Sequence, residues 1–119
     1  MHRLILMRHA KAERGSPSGR DKDRPLAARG REDASRVGKA LATRGLKPDR
    51  ALVSGAVRTR QTWDVVHDSL GDVEVSILDD LYEADPDDLR SHVEAEAELA
   101  GCLILIGHNP GVHQLAVEL

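Results

Sequence analysis

Three short apolar runs, at 4–7 (Leu-Ile-Leu-Met), 51–53 (Ala-Leu-Val) and 102–106 (Cys-Leu-Ile-Leu-Ile), each break off at polar residues or glycine. Stretches with helical periodicity lie between them. A uniformly apolar run this short suits a strand buried on both faces, as in a parallel sheet covered by helices. Parallel neighbours need a long crossover connection, and the intervening helices supply it. The pattern therefore predicts an α/β fold: a three-layer α/β/α sandwich around a largely parallel central sheet.

From 30 to 44, Ala34, Val37 and Leu41 recur at helical spacing, and Gly45 followed by Pro48 ends the pattern. A second helix is expected over 57–70, with Trp63, Val66 and Leu70 on one face and Gly71 closing it. Val73, Val75 and Ile77 alternate with polar residues, which reads as a strand near a sheet edge with one more exposed face, and 79–83 is a polar connection. Asp85-Pro86, with Asp88 three residues after Asp85, starts a third helix whose buried stripe is Leu89, Val93 and Ala97 and which ends by Gly101. Asn109 is placed to cap a last helix beginning at Pro110. The segment 11–28 holds Gly, Ser, Pro and many charges, so it reads as a loop beside the site rather than an interdomain linker.

With 119 residues, 40% of them apolar, the chain can bury the core of one domain without a disulfide or structural metal. A net charge of −3 provides no overall field to draw a nucleic acid or an anionic membrane, and neither is expected as a partner. Cys102 sits among apolar neighbours and has no second cysteine to pair with, so a buried thiol in a reducing compartment, the cytoplasm, is expected. The run at 4–7 meets Arg8 and His9 too soon to serve as a signal peptide or a span. The cations are mostly arginine, whose planar guanidinium suits two-point recognition of phosphate.

Ligands of open α/β sheets bind beyond the carboxyl ends of the strands. Arg8 and His9 follow the first run, Ser54 and Arg58 the second, Glu83 the third strand, and His108 the last. Four segments thus converge on one rim. Read in order, Arg8-His9-Ala-Lys-Ala, Asp23-Arg24-Pro25-Leu26 with Arg29-Gly30, Ser54-Gly-Ala-Val-Arg58-Thr59-Arg60-Gln61-Thr62 and Gly107-His108-Asn109-Pro110-Gly111 resemble the motif set of the histidine phosphatase superfamily. The set spans nearly the whole chain and is closest to the small phosphohistidine phosphatase, SixA-like, branch of this phosphoglycerate mutase-like fold.

The resemblance implies a role for each matching residue. His9 matches the nucleophile that forms a phosphohistidine intermediate and splits one difficult displacement into two easier ones. Arg8 and Arg58 match the phosphate-clamping arginines, and Arg24 resembles a further phosphate ligand of the SixA-like branch. Nearby guanidinium charge should lower the pKa of His9 and keep it neutral. His108 matches the second histidine, which bonds a phosphoryl oxygen and, if cationic, stabilises the transition state. Glu83 is the best positional match to the proton-donating acid, with Asp80 and Asp85 as rivals; alternatively the acidic cluster only solvates a loop and starts the third helix. His2, His67, His92 and His113 match no motif. His108 and His113 are five residues apart, not the four that align two ligands on one helix face, so no metal site and no cofactor is expected.

Mutase members carry an insertion after the acid that covers the site, whereas only Ala84 and Asp85 separate Glu83 from Pro86. An open site admits a phosphorylated side chain on a folded protein, so the expected activity is dephosphorylation of protein phosphohistidine. The alternatives are a broad small-molecule phosphomonoesterase and, in another class, a non-catalytic phosphate-binding scaffold. The resemblance also implies a further strand and helix after the last one, so 1–119 is expected to be a single domain without its C-terminal strand and helix.

Overall fold

The computed structural model describes residues 2–119. Four strands, β1 (Arg3–Arg8), β2 (Arg50–Ser54), β3 (Glu74–Leu78) and β4 (Cys102–Gly107), alternate with four helices, α1 (Ala28–Thr43), α2 (Val57–His67), α3 (Pro86–Glu96) and α4 (Gly111–Glu118). The strands form one sheet in the order β1-β4-β2-β3, and every pairing is parallel. The expected layered sandwich is observed.

Side chains alternate between the faces of a strand, and β4 uses both. Leu103 and Leu105 meet Leu89 and Val93 of α3 and Val112 and Leu115 of α4. Ile104 and Ile106 meet Ala34 of α1 and Trp63 and Val66 of α2. All four β4 residues are 0% exposed, and at about 2 kcal/mol for each buried Leu or Ile side chain they make β4 the spine of the fold. β1 and β3 are the edges. Val75 and Ile77 are 44% and 46% exposed, so the apolar set of β3 does not form the buried face its alternation predicts. The strand begins at Glu74 and not at Val73, which instead packs at the margin of the α1/α2 cluster.

Helix ends follow local chemistry. Gly45 adopts φ +70°, and the pair of bonds Gly45 N to Ala42 O and Leu46 N to Leu41 O closes α1 in a Schellman motif. The α1 helix starts two residues earlier than its apolar spacing predicts, because Ala28 and Arg29 are exposed and leave no trace in that spacing. Asp85 and Asp88 form a reciprocal capping box at α3. Helix α2 ends at His67, short of the predicted 70, and continues only as a turn through Leu70. In front of α4, Asn109 Oδ1 accepts the amide of His113 at 3.1 Å, with Pro110 at the cap position itself. Among the described residues no helix is long and apolar enough to cross a membrane.

The segment between β1 and α1 is a pinned flap. Glu13 N donates to Pro25 O, Ala27 N to Lys11 O, and buried Leu26 donates its amide to Gln61 Oε1 at 2.8 Å. Its tip is a short 3-10 turn, Asp21–Asp23, which leans over the carboxyl ends of the strands. Gly30 lets α1 approach this flap: a Cβ there would lie 2.1 Å from Lys11 O. Gly30→Ala should therefore push the chain just after His9 and destabilise the fold by about 1–3 kcal/mol. Urea unfolding measures this, and an unchanged midpoint would mean the close approach is dispensable.

Candidate active site

Parallel pairing of β1 with β4 sets Arg8 opposite Gly107, and the amide of His9 donates to Gly107 O at 3.0 Å. The residues just beyond these two strand ends, His9 and His108, are thereby held side by side with ring centroids 5.3 Å apart. β2 lies on the other side of β4 and delivers Ser54, whose hydroxyl lies 2.8 Å from His108 Nε2. Arg58, in the first turn of α2 and only 6% exposed, donates Nε–H to His9 Nε2 at 3.3 Å. Thr62, one turn on, accepts the amide of Ala10 and fixes the backbone after His9.

Partners assign the His9 tautomer. Nδ1 lies 2.7 Å from Ala10 O, which can only accept, so Nδ1 carries the proton and Nε2 keeps its lone pair. Burial lowers the His9 pKa most, and Arg58, Arg8 and Arg24 lower it further against the Ala10 hydrogen bond. The arginines thus act as expected but come second to burial. His108 is lowered to about 4, by burial first and then by Arg58 and His9, so it is neutral at pH 7 in the free site. Its Nδ1 is buried without a hydrogen-bond partner.

Of the six residues that the resemblance singles out, Arg8, His9 and Arg24 line one recess, and Glu83 lies on the wall of a separate cavity. This cavity, about 390 Å³, is also lined by Arg58, His108, Asp21, Tyr82 and Gln114. The recess that holds His9, about 300 Å³, is lined also by Arg8, Lys11 and Arg24. Of the rival acids, Asp85 lines the same cavity as Glu83 but spends a carboxylate oxygen on the amide of Asp88, whereas Asp80 faces a separate recess with Asp88, Ser91 and His92. Among the described residues no three His, Cys, Asp or Glu side chains gather as metal ligands.

Two members of the cluster have no role in the sequence reading. Asp21, on the flap tip, pairs with Arg58 Nη2 at 3.0 Å and Arg24 Nη1 at 2.8 Å and accepts a hydrogen bond from the Tyr82 hydroxyl. Tyr82 sets its ring edge-on to His108, with centroids 5.5 Å apart. The available signal was slight. Asp21 is one charge among many in its loop, whereas Tyr82 is the chain's single tyrosine, in a sequence without phenylalanine, beside Glu83.

The profile of the histidine phosphatase superfamily (branch 1) matches residues 4–101. An uncharacterized protein of Mycobacterium leprae is 34% identical over 116 residues, covering 95% of this chain and 70% of that protein. The crystal structure of an Agrobacterium tumefaciens chain assigned as the phosphohistidine phosphatase SixA superposes with a TM-score of 0.91 at 32% identity, over 98% of this chain and 76% of that one. The protein histidine phosphatase SixA complexed with tungstate superposes at 0.88 with 27% identity, over 98% and 75%.

Because the folded pKa values of His9 and His108 lie below the ordinary 6.5, the unfolded chain binds more protons than the folded one just below that pH. Stability should be fully present above pH 6.5 and fall as pH drops from there toward about 4. Histidine NMR titration should place both midpoints below 6.5. A midpoint for His9 above 6.5, or stability rising on acidification through this window, would contradict the electrostatics described.

Proposed function

The chain belongs to the histidine phosphatase superfamily, and on that premise we propose that it is a phosphatase whose His9 accepts the phosphoryl group of a protein phosphohistidine. The observation that carries the reading is the His9 ring. It is neutral, protonated on Nδ1 by its bond to Ala10 O, and keeps an Nε2 lone pair that accepts Arg58 Nε–H at 3.3 Å beside the His108 ring.

In the proposed reaction the Nε2 lone pair of His9 attacks phosphorus while the P–N bond of the substrate breaks and its electron pair returns to the leaving imidazole, which takes up a proton. Water then attacks the phosphoryl-His9 intermediate, giving inorganic phosphate and restoring the Nε2 lone pair. Arg58 and Arg8 hold phosphoryl oxygens, with Arg24 beside them in the recess next to His9. His108, neutral in the free site, gains affinity for a proton as dianionic phosphoryl arrives, and so becomes a stronger donor when charge develops.

Two features support a protein substrate. Ala84 and Asp85 alone connect Glu83 to α3, so no lid stands between Glu83 and that helix, and the SixA relatives act on, or are named for, phosphohistidine. The tungstate held by one of them is a tetrahedral oxyanion like phosphate. A phosphomonoesterase is the second reading, favoured by Glu83 on the cavity wall, where it can protonate an alkoxide. The buried, unpaired Cys102 thiol suits a reducing compartment such as the cytoplasm.

The test compares three substrates in wild type and Glu83→Gln. Imidazole and p-nitrophenolate leave with little help, so a phosphohistidine domain and p-nitrophenyl phosphate should be hydrolysed at nearly unchanged rates. An alkyl phosphate should slow by about 10²-fold to 10⁴-fold if Glu83 is its acid. Preference for the alkyl ester over phosphohistidine in wild type would favour the phosphomonoesterase. Equal losses on all three substrates would make Glu83 a positioning residue.

A further inference from the structure

The donors that the proposed reaction needs are already engaged by an anion of the protein itself. Arg58 directs Nη1 to the backbone oxygen of Asp21 at 2.8 Å, Nη2 to its carboxylate at 3.0 Å and Nε to His9. A guanidinium has two edges on which an oxyanion can sit with two hydrogen bonds, Nη1/Nη2 and Nε/Nη2, and neither is free. The other carboxylate oxygen of Asp21 takes Nη1 of Arg24 at 2.8 Å. One carboxylate thus bridges the two arginines as a phosphoryl group would, and Arg58 in turn covers the His9 lone pair.

Resting on the functional reading above, we propose that Asp21 is an internal competitor for the phosphoryl group: its carboxylate occupies the Arg58 and Arg24 donors in the free protein, and substrate binds by displacing it. The displacement is local. The flap is pinned at its base through Leu26, Ala27 and Glu13 and at its tip by the Lys22–Asp79 pair at 3.0 Å, so the displacement is a swing of the Asp21 side chain, which is 51% exposed. Gly19, two residues before it, holds φ +80° and turns the chain at the flap tip. Three contacts stabilise the closed form, from Arg58, Arg24 and Tyr82, and hydrogen bonds from Tyr82 and Arg58 hold the carboxyl at about pKa 2, so it stays anionic at any working pH.

The cost of displacing Asp21 lowers the apparent affinity for every oxyanion by the same factor. The same contact, re-forming after hydrolysis, drives inorganic phosphate off the arginines. Asp21 therefore sets how tightly the site holds substrate and how readily it releases product.

The experiment measures inorganic phosphate binding by calorimetry, and its inhibition of p-nitrophenyl phosphate hydrolysis, in wild type, Asp21→Asn and Tyr82→Phe. Asp21→Asn should bind phosphate more tightly by about 5-fold or more, with KM falling in parallel. Tyr82→Phe separates displacement from simple repulsion. If Asp21 is displaced, loss of the tyrosine hydroxyl weakens only the closed form and tightens phosphate binding. If Asp21 stays in place, the same loss leaves its charge less neutralised and weakens phosphate binding. Phosphate binding that is unchanged or weaker in either variant, or a fall in kcat for Asp21→Asn at constant phosphate affinity, overturns the proposal. Failure of wild type and both variants to bind phosphate at all would instead overturn the functional reading on which it rests.

Discussion

The parallel ladder between β1 and β4 is the constraint on which the rest of the site depends. Its register ends with Arg8 opposite Gly107, and the bond from His9 N to Gly107 O extends it by one residue. Nothing about His9 or His108 alone would bring two imidazoles within 5.3 Å, since burying two basic rings together is unfavourable. The ladder enforces the contact because slipping it by one residue would turn every β4 side chain to the opposite face, exchanging the two packed clusters. The geometry of the candidate site is thus held by core packing.

Charge follows from that enforced geometry. Half-buried imidazoles beside buried Arg58 stay neutral, and the guanidiniums left without a counter-charge recruit Asp21 from the flap. The site at rest is therefore compensated internally, with Tyr82 bridging the flap and the His108 ring. On the proposed reading a phosphoryl dianion would replace that compensation and change the partners of Arg58, His9 and Asp21 together.

Much of this was legible in the sequence. Strands packed on both faces leave uniform apolar runs, so 4–7, 51–53 and 102–106 fell inside β1, β2 and β4, although β1, at the sheet edge, is only half-buried, and the polar residues that end them marked the rim. The alternation of Val75 and Ile77 placed β3 near the sheet edge, where it lies, but could not tell that the apolar side chains themselves are half exposed. Asp21 and Tyr82 were missed for a different reason. Their partners lie 37 and 61 residues away in the chain, across Asp21–Arg58 and Asp21–Tyr82, and no local pattern encodes a contact made by a loop folding over a sheet. His108 was read as a residue useful when cationic, and its neutrality in the free site depends on burial that only the packed structure reveals.

The central claim is that the His9 Nε2 lone pair is the phosphoryl acceptor. Rapid acid-free quenching of the protein with ³²P-labelled phosphohistidine domain, followed by base treatment and peptide mapping, tests it most directly. A base-stable, acid-labile label on the peptide containing His9, absent from His9→Ala together with turnover, is the result this account predicts. A label on any other residue, or turnover that survives in His9→Ala, would contradict it.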